Sequence, residues 1–196
     1  IKTLTELNVR MSEEANNLTQ ALKGESKTMG NWGEMVLETL LEHSGLTRNE
    51  EYVVQESFQT EDGRRSQPDV VINLPDKKHL VIDAKVSLVA YERWCSSEDD
   101  EDKKRHLKEH IASIKRHIGE LAQKNYQDLY QVSAPDFVLM FVPLDPALIL
   151  ALQTDPSLFM EAFDKGVFLV CPATLLFALR TIANLWRREK QNRNAM

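Results

Sequence analysis

QPDVVINLPDKKHLVIDAK, residues 67–85, is the stretch of sequence from which the fold can be worked out. Two apolar runs of strand type flank the turn residues Pro75-Asp76, and this pattern predicts a β-hairpin. With the turn centred on Asp76, Asp69 and Asp83 are each seven residues from the centre and face each other across the hairpin. Their Cβ atoms would then lie roughly 5 Å apart on one face of the sheet. Like charges at that distance destabilise a sheet, whereas a divalent cation between them would create a binding site.

The composition is typical of a globular protein in water, with 42% hydrophobic and 28% charged residues among 196. A chain of this length forms one domain with a substantial core, or one domain and an appendage. The net charge of −6 argues against DNA binding by overall charge and leaves room for a local basic patch. No apolar run approaches the roughly 20 residues that cross a bilayer, and no signal peptide is visible. Cys95 and Cys171 have no metal-ligand spacing, so we interpret both as free thiols in a reducing compartment.

The N-terminal part of the chain has apolar residues at heptad spacing, interrupted by Glu14: Leu4, Leu7, Met11, Leu18 and Ala21. This pattern predicts that residues 1–28 form a helical segment, either the end of a coiled coil or a helix that packs back on the domain. A coiled coil would join copies of the chain into a homo-oligomer. We expect the glycines at 24 and 30 to end this segment and Asn31 to cap the next helix. One domain would then occupy residues 29–196.

The remaining sequence predicts an α/β fold, a mixed sheet flanked by helices on both faces. Beyond the central hairpin, strands are predicted at residues 52–60, 137–142 and 167–171. Helices are predicted from Asn31 to about residue 44, around 107–121 with Ser97 as a candidate cap, at 146–163 with a break near Asp155-Pro156, and from Pro172 onward.

The order of these elements, with Pro68-Asp69 on one hairpin strand and Asp83-Ala84-Lys85 on the other, resembles the PD-(D/E)xK nuclease superfamily. More narrowly, the chain is similar to the RmuC family of DNA recombination proteins from Gly30 to the C-terminus. The segments that carry this resemblance are Gly30-Asn31-Trp32-Gly33-Glu34, Pro68-Asp69, Ile82-Asp83-Ala84-Lys85-Val86-Ser87-Leu88 and Pro172-Ala173-Thr174-Leu175. The resemblance implies a restriction-endonuclease-like sheet and a bacterial, cytoplasmic protein that acts on DNA as a nuclease.

The family resemblance also bears on the N-terminal segment and on cellular location. RmuC family members usually carry an N-terminal membrane-anchoring helix and a long coiled coil, so residues 1–22 would be the end of that coiled coil. Because the sequence begins at Ile1 rather than Met, we interpret it as a fragment. The full-length protein could then be membrane-anchored through a segment that precedes Ile1, while we expect the fragment itself to make no membrane contact.

Asp69, Asp83, Ala84 and Lys85 form the candidate catalytic group. Asp83 and Lys85 are two residues apart on a strand, so their side chains point to the same face. Phosphodiester hydrolysis needs an activated water and neutralisation of the phosphate, and Mg²⁺ or Mn²⁺ held by carboxylates supplies both. We assign Asp69, Asp83 and the backbone carbonyl of Ala84 as metal ligands, and Lys85 as the group that orients the water. In the structural alternative, Asp69 only starts a strand and Lys85 extends its ammonium into solvent.

Glu34 has two interpretations. It lies three residues after Asn31, where a capping-box glutamate would accept a hydrogen bond from the N–H of the cap residue. Leu37 and Leu41 follow it at helical spacing, which places Glu34 along the stripe that faces the sheet and favours a catalytic or metal-binding role. The first helix of the nuclease superfamily often supplies such a glutamate, so the resemblance implies the second role.

Basic residues in two places are candidate DNA contacts. Arg64 and Arg65 precede the Pro-Asp strand, and guanidinium groups bind phosphates through two hydrogen bonds. A solvated turn is the alternative for this pair. Arg187 and Arg188 lie on a basic stretch of the last predicted helix, where they would either follow a nucleic-acid backbone or complement the helix dipole.

Two functions follow from these patterns. The first is a Mg²⁺-dependent DNA nuclease that acts in recombination, and it is favoured by the complete set of Asp, Asp-x-Lys and helical Glu. The second is a non-cleaving scaffold on the same fold that binds DNA or protein and is oligomerised through its coiled coil. A metal-binding measurement separates the two, because the scaffold requires no metal.

Overall fold

The structure, a computed structural model, describes residues 26–54, 58–59, 65–66, 68–75, 78–84, 87–124 and 137–194. These ranges contain six helices, which are α1 Ser26–Ser44, α2 Val89–Ser96, α3 Asp100–Gln123, α4 Asp145–Thr154, α5 Ser157–Asp164 and α6 Pro172–Asn194. They also contain seven strands, which are β1 Tyr52–Val54, β2 Phe58–Gln59, β3 Arg65–Ser66, β4 Val70–Leu74, β5 Lys78–Asp83, β6 Val138–Phe141 and β7 Val167–Val170. None of the helices in these ranges combines the length and the apolar character that a bilayer crossing requires.

Five strands form one mixed sheet in the order β1-β4-β5-β6-β7, and β2 pairs with β3 in a separate ribbon. β1, β4 and β5 are antiparallel neighbours, whereas β5, β6 and β7 run parallel. Helices connect the parallel strands, because strands that run in the same direction need a crossover connection. The predicted mixed α/β sheet is therefore confirmed.

The central hairpin of β4 and β5 has the register that the sequence predicts. Its ladder pairs residues equidistant from position 76 and extends from the turn to Val70 opposite Ile82. Asp69 and Asp83 would be the next pair in this register. Asp69, however, lies in a bend before β4 and outside the ladder.

Each face of the sheet has its own hydrophobic core. α1 and α6 cover one face, where they pack on the inward side chains of β4 and β5, including Ile72 and Ile82. Helices α2 to α5 cover the other face, where the core includes Val81 and Met140. Successive strand residues point to opposite faces, so Asp83 belongs to the α3 face. Because helices cover both faces of the sheet, the strand side chains that point to either face are buried, and the strands are apolar on both sides.

Helix α1 begins earlier than the sequence predicts. It starts at Ser26, so Gly30 and Asn31 lie inside the helix, and the prediction that Asn31 caps it is wrong. A Cβ on Gly33 would lie 3.2 Å from Cγ of Pro143, so the missing side chain lets α1 pack closely on the segment after β6. This tertiary contact offsets part of the cost of a glycine in a helix, which is about 1 kcal/mol.

The strand predicted at residues 52–60 is divided between two sheets. β1 is only three residues long, and residues 58–59 pair with 65–66 in the ribbon. The break near Asp155-Pro156 and the other predicted strands are confirmed. Residues 1–25, which carry the heptad pattern, lie outside the described ranges, so the helical segment and its boundary at residue 28 stay predictions.

The start of α3 also differs from the prediction. Asp99 rather than Ser97 caps this helix, because the Asp99 carboxylate accepts hydrogen bonds of 2.9 and 3.0 Å from the N–H groups of Glu101 and Asp102. The additional helix α2 ends just before it. The predicted cap Ser97 is therefore wrong, because the helix begins three residues after it, at Asp100.

Candidate active site

Four elements meet at one edge of the large sheet. β5, β6 and β7 are parallel, so their carboxyl ends lie at the same edge. α1 packs against this edge, because a Cβ on Gly33 would lie 3.9 Å from the carbonyl oxygen of Ala84, the residue that follows β5. Glu34 is the next residue of α1. Its side chain is exposed on the helix that packs against this segment.

Asp69 joins the two hairpin strands at the open end of the hairpin. Its oxygen Oδ2 accepts a hydrogen bond of 2.7 Å from the backbone N–H of Ala84. Asp69 is 7% exposed, so this hydrogen bond helps to stabilise a carboxylate that is largely removed from water. The contact places one predicted metal ligand, Asp69, directly beside the backbone of another, Ala84.

A cavity of about 190 Å³ opens beside Asp69 on the α1 face. Its apolar lining comes from α1, β1 and β4, and its polar lining consists of Asn31, Glu34, Glu38 and Asp69. The capping-box interpretation of Glu34 is wrong, because α1 begins at Ser26 and Glu34 lies beyond its first two turns. Glu34 and Asp69, two predicted site residues, therefore line one cavity.

Asp83 is held by the opposite layer of helices. The residue is 0% exposed, and each carboxylate oxygen accepts a hydrogen bond from α3 or its C-cap. His117 Nε2 donates to Oδ1 at 3.1 Å, and Lys124 Nζ donates to Oδ2 at 3.1 Å. A buried carboxylate is stable only when it is paired or hydrogen-bonded, and these two donors fulfil that requirement.

The predicted site residues are thus only partly gathered in the described part of the chain. Asp83 does not line the cavity that Glu34 and Asp69 share. Among the described residues, no three His, Cys, Asp or Glu side chains converge in a way that could hold a metal ion. Lys85 and Arg64 lie outside the described ranges, and of Arg65 only the backbone, in β3, is described. The catalytic and metal-binding assignments therefore stay predictions.

Arg187 and Arg188 are exposed on α6, far along the helix from the carboxylates. Arg187 donates a hydrogen bond to Asn184 Oδ1 at 3.2 Å, and its Nη2 lies near Gly45 at the end of α1. It is fifteen residues beyond Pro172. At 1.5 Å per residue this corresponds to about 22 Å from the start of α6, which lies at the site edge. The two arginines therefore lie at a distance from the candidate site.

The start of α6 is held to the first residue of α4. The Asp145 carboxylate accepts a hydrogen bond of 3.2 Å from the N–H of Ala173, and the Thr174 hydroxyl accepts one of 2.9 Å from the N–H of Cys171. Burial raises the pKa of the Cys171 thiol. Cys95 and Cys171 are both free cysteines, as predicted.

His117 and Lys124 are the functional candidates that sequence reasoning missed. They are separated by seven residues, two helical turns, so they lie on the same face of α3 as the buried residues Ile114 and Leu121. A basic residue on an apolar stripe indicates a buried acidic partner. That pattern was visible in the sequence, but it does not identify Asp83 as the partner, because 34 and 41 residues separate it from His117 and Lys124.

His110, one turn before Ile114, makes stability depend on pH. It is fully buried, its Nε2 bonds to the carbonyl of Ala147 at 2.9 Å, and its Nδ1 has no hydrogen-bond partner in the part of the chain that the structure describes. Burial lowers the pKa of His110 below its ordinary value. The folded state therefore binds this proton less readily than the unfolded state, whose histidine pKa is about 6.5. His110 favours folding above that pH and loses this contribution as the pH falls towards its lowered value.

We expect His110→Gln, whose amide can still donate to Ala147, to reduce the loss of unfolding free energy between about pH 7.5 and 5.5. Urea unfolding at both pH values measures the difference. The exposed His43→Gln is the control and should leave the pH dependence unchanged. An unchanged pH dependence in the His110 variant would contradict the prediction.

The family model and the similar proteins both identify the same family for this chain. The model of the RmuC family matches residues 1–196. The chain is 53% identical over 195 residues to the DNA recombination protein RmuC of Escherichia coli (strain K12), an alignment that covers 100% of this chain and 41% of that protein. It is 51% identical to the DNA recombination protein RmuC homolog of Haemophilus influenzae and 50% identical to that of Vibrio cholerae, with all of this chain and 43% and 38% of those proteins covered. The chain thus spans about two fifths of the length of these relatives. No solved structure matches it.

Proposed function

Because the chain belongs to the RmuC family, we propose that its domain is a Mg²⁺-dependent DNA nuclease that acts in DNA recombination. The observation that carries the proposal is the end of the central hairpin. The β4–β5 ladder ends at Val70 opposite Ile82, one position before Asp69 and Asp83, and Asp69 accepts a hydrogen bond from the backbone of Ala84, the residue between Asp83 and Lys85. Burying two aspartates at neighbouring positions is costly unless their charges are paired, hydrogen-bonded or bound to a metal ion.

The donor chemistry of these residues fits a hard cation. Asp69, Asp83, Glu34 and the carbonyl of Ala84 would hold Mg²⁺ or Mn²⁺ through oxygen atoms, the ligands that such ions prefer. When bound, the ion would supply an activated water and neutralise negative charge on the phosphate. In the structure these residues do not surround one point. The Asp83 carboxylate is hydrogen-bonded to His117 and Lys124, and it does not line the cavity of Glu34 and Asp69.

The chain's own groups would position the substrate and the water. Lys85 follows Ala84 and would orient the attacking water and stabilise negative charge on the phosphate. The hydrogen bond from the Ala84 N–H would hold the Asp69 carboxylate beside the end of β5. Glu34 would contribute its carboxylate from α1, across the cavity from Asp69.

The partner in this proposal is DNA. Arg64 and Arg65 lie before the Pro-Asp strand, and Arg187 and Arg188 lie about 22 Å along α6, a distance that spans several base pairs of a duplex. Homo-oligomerisation through the N-terminal heptads and a location in the bacterial cytoplasm belong to the same proposal, as does a membrane anchor elsewhere in the longer protein.

The second candidate function is a non-cleaving scaffold that binds DNA or protein. A specific observation favours it: both Asp83 oxygens already accept hydrogen bonds from His117 and Lys124, so Asp83 needs no metal to be stable. A scaffold would retain DNA binding through its arginines and would show no metal dependence.

Incubation of the purified protein with labelled linear duplex, branched and single-stranded DNA tests the proposal. We expect cleavage of at least one of these substrates with Mg²⁺ and none with a chelator. DNA binding without cleavage in Mg²⁺ and in Mn²⁺ would favour the scaffold and contradict the nuclease.

Glu34 and Glu38 offer a matched test of the helical carboxylate. Both line the cavity, but Glu38 forms an exposed ion pair with Arg48 at 2.8 Å. We expect Glu34→Gln to lower the cleavage rate by about 10- to 100-fold, the usual effect of losing a group that supports a metal site. Glu38→Gln should leave the rate unchanged, because an exposed ion pair contributes little. Equal rates for the two variants would remove Glu34 from the site.

A further inference from the structure

We propose that the outward face of α6 binds single-stranded DNA, with the Phe177 ring stacked on an unpaired base and arginine side chains on the phosphates. This face, the outward stripe of α6, consists of Phe177, Thr181, Asn184 and Arg188, with Arg180 beside it. The inference rests on the proposed action on DNA and adds to it the class of substrate.

Helical spacing places the outward stripe on one side of α6. Thr181, Asn184 and Arg188 follow Phe177 by four, seven and eleven residues, so the four side chains point within about 60° of one another. All four residues are exposed, whereas Leu179 and other residues on the opposite side of the helix are buried in the core against the sheet. At 1.5 Å per residue, the stripe extends about 16 Å from Phe177 to Arg188, which is long enough for several nucleotides.

Phe177 is the apolar member of the stripe. It is 76% exposed, more than any other large hydrophobic residue in the part of the chain that the structure describes. Its aromatic ring is therefore open to a ligand that approaches from solvent. A single exposed phenylalanine is common on protein surfaces, so the charges around it decide what it can bind.

Those charges are positive. Within the described ranges, the ion pairs of α6 are made by Lys190 and Arg193, near the end of the helix. Arg180 and Arg188 form no ion pair with a described residue and remain available for an anion. Glu189 is the only acidic residue of α6, and its carboxylate is paired with Arg193. The stripe is thus basic in a chain whose net charge is −6, and it complements a polyanion.

The aromatic ring distinguishes a single strand from a duplex. Arginines can contact the phosphates of either form of DNA. A ring can stack on a base only where that base is unpaired and unstacked, and such stacking requires no particular sequence. Phe177 lies five residues after Pro172, about 7 Å along α6 from the edge of the candidate site. A strand bound along the stripe would therefore approach that edge.

A second group of exposed aromatic residues lacks this charge pattern. Phe159 on α5 is 48% exposed, but the same short helix carries Glu161 and Asp164. These carboxylates would repel a phosphate backbone. Phe159 is therefore a matched control for Phe177.

Fluorescence anisotropy of a labelled DNA strand of about 20 nucleotides, longer than the usual site on one domain, measures the binding. The same strand annealed to its complement provides the duplex. Both titrations use the purified protein with a chelator, so that no strand is cut during the measurement. We expect the unsubstituted protein to bind the single strand more tightly than the duplex.

We expect Phe177→Ala to weaken single-strand binding about 10-fold and to leave duplex binding nearly unchanged. Phe177→Leu keeps an apolar side chain without a ring and should lose a similar factor, whereas Phe177→Trp should retain the affinity. Phe159→Ala should bind both DNAs like the unsubstituted protein. Because Phe177 is exposed, these substitutions remove no core contact.

The arginine contact has a separate measurement, the dependence of single-strand affinity on salt. We expect Arg188→Gln to reduce the slope of log affinity against log salt concentration by about 0.7, the value for one phosphate contact on a single strand. Lys108→Gln, which changes an exposed residue of α3, should leave the slope unchanged.

The outcomes separate this inference from the proposed function. An affinity loss in Phe177→Ala and Phe177→Leu that is confined to the single strand supports it. Unchanged single-strand binding in Phe177→Ala, or an equal loss on both DNAs, overturns it and leaves the proposed nuclease intact. Absence of binding to either DNA by the unsubstituted protein overturns the inference together with the proposed action on DNA. The expected single-strand binding without cleavage in Mg²⁺ supports the inference and contradicts the nuclease.

Discussion

Asp83→Asn is expected to lower Mg²⁺-dependent DNA cleavage by roughly 1,000-fold, because a catalytic metal ion contributes several kcal/mol and each 1.4 kcal/mol changes the rate about tenfold. Asparagine has nearly the same shape and retains a carbonyl oxygen, so it can still accept a hydrogen bond from His117 or Lys124. It lacks the negative charge that a metal ligand at this position needs. Single-turnover cleavage with Mg²⁺ in excess measures the effect.

Two comparisons make the Asp83 result interpretable. Lys85→Ala should cause a loss of similar size, because Lys85 is assigned to the attacking water. Asp164→Asn, an exposed aspartate at the end of α5, should have no effect on cleavage. DNA affinity, followed by fluorescence anisotropy, should stay nearly constant in all three variants. Cleavage by Asp83→Asn at the unsubstituted rate would remove the catalytic assignment.

Leu41→Ala is expected to have the largest effect on stability. Leu41 is 0% exposed and lies in the core between α1 and the sheet. Removal of a buried leucine side chain leaves a cavity and typically costs about 2–5 kcal/mol of unfolding free energy. Leu185→Ala, on α6, is the matched control, because Leu185 is 47% exposed and should contribute less than about 0.5 kcal/mol.

Urea unfolding followed by circular dichroism measures both leucine variants. The midpoint of Leu41→Ala should fall clearly, while that of Leu185→Ala should stay near the unsubstituted value. Because Leu41 also lines the cavity beside Glu34, cleavage should be measured at a temperature where the variant is still folded. A loss of stability as large in Leu185→Ala as in Leu41→Ala would contradict the division of α1 and α6 into buried and exposed faces.

The boundaries of α1 illustrate why part of the fold could not be predicted. Two glycines and an asparagine in Gly30-Asn31-Trp32-Gly33 are typical of a helix start, yet the helix continues through them. One tertiary contact that accompanies this is the close approach to Pro143, more than one hundred residues away, where a Cβ at position 33 would lie 3.2 Å from the proline ring. Local propensity is a weak preference, and packing against a distant segment overrides it.

In the candidate site, too, distant contacts decide what local sequence patterns leave open. Glu34 and Asp69 line one cavity, but the Glu34 side chain is exposed, so its role in the site stays a prediction. In the structure His110 bonds to a backbone carbonyl and His117 to Asp83. No sequence pattern states which acid a histidine will meet when the two lie on different elements.

The sequence by itself determined the mixed α/β class, the central hairpin, its register and the family. The hairpin and its register follow from alternation of apolar residues and from a Pro-Asp turn, which act between residues close together in the chain, whereas the family follows from resemblance to its motifs. Only the tertiary structure decided that Asp83 bonds to His117 and Lys124 and that Asp69 bonds to Ala84. Those contacts depend on how β5 and α3 pack, and packing is set by the shapes of many side chains at once rather than by any local pattern.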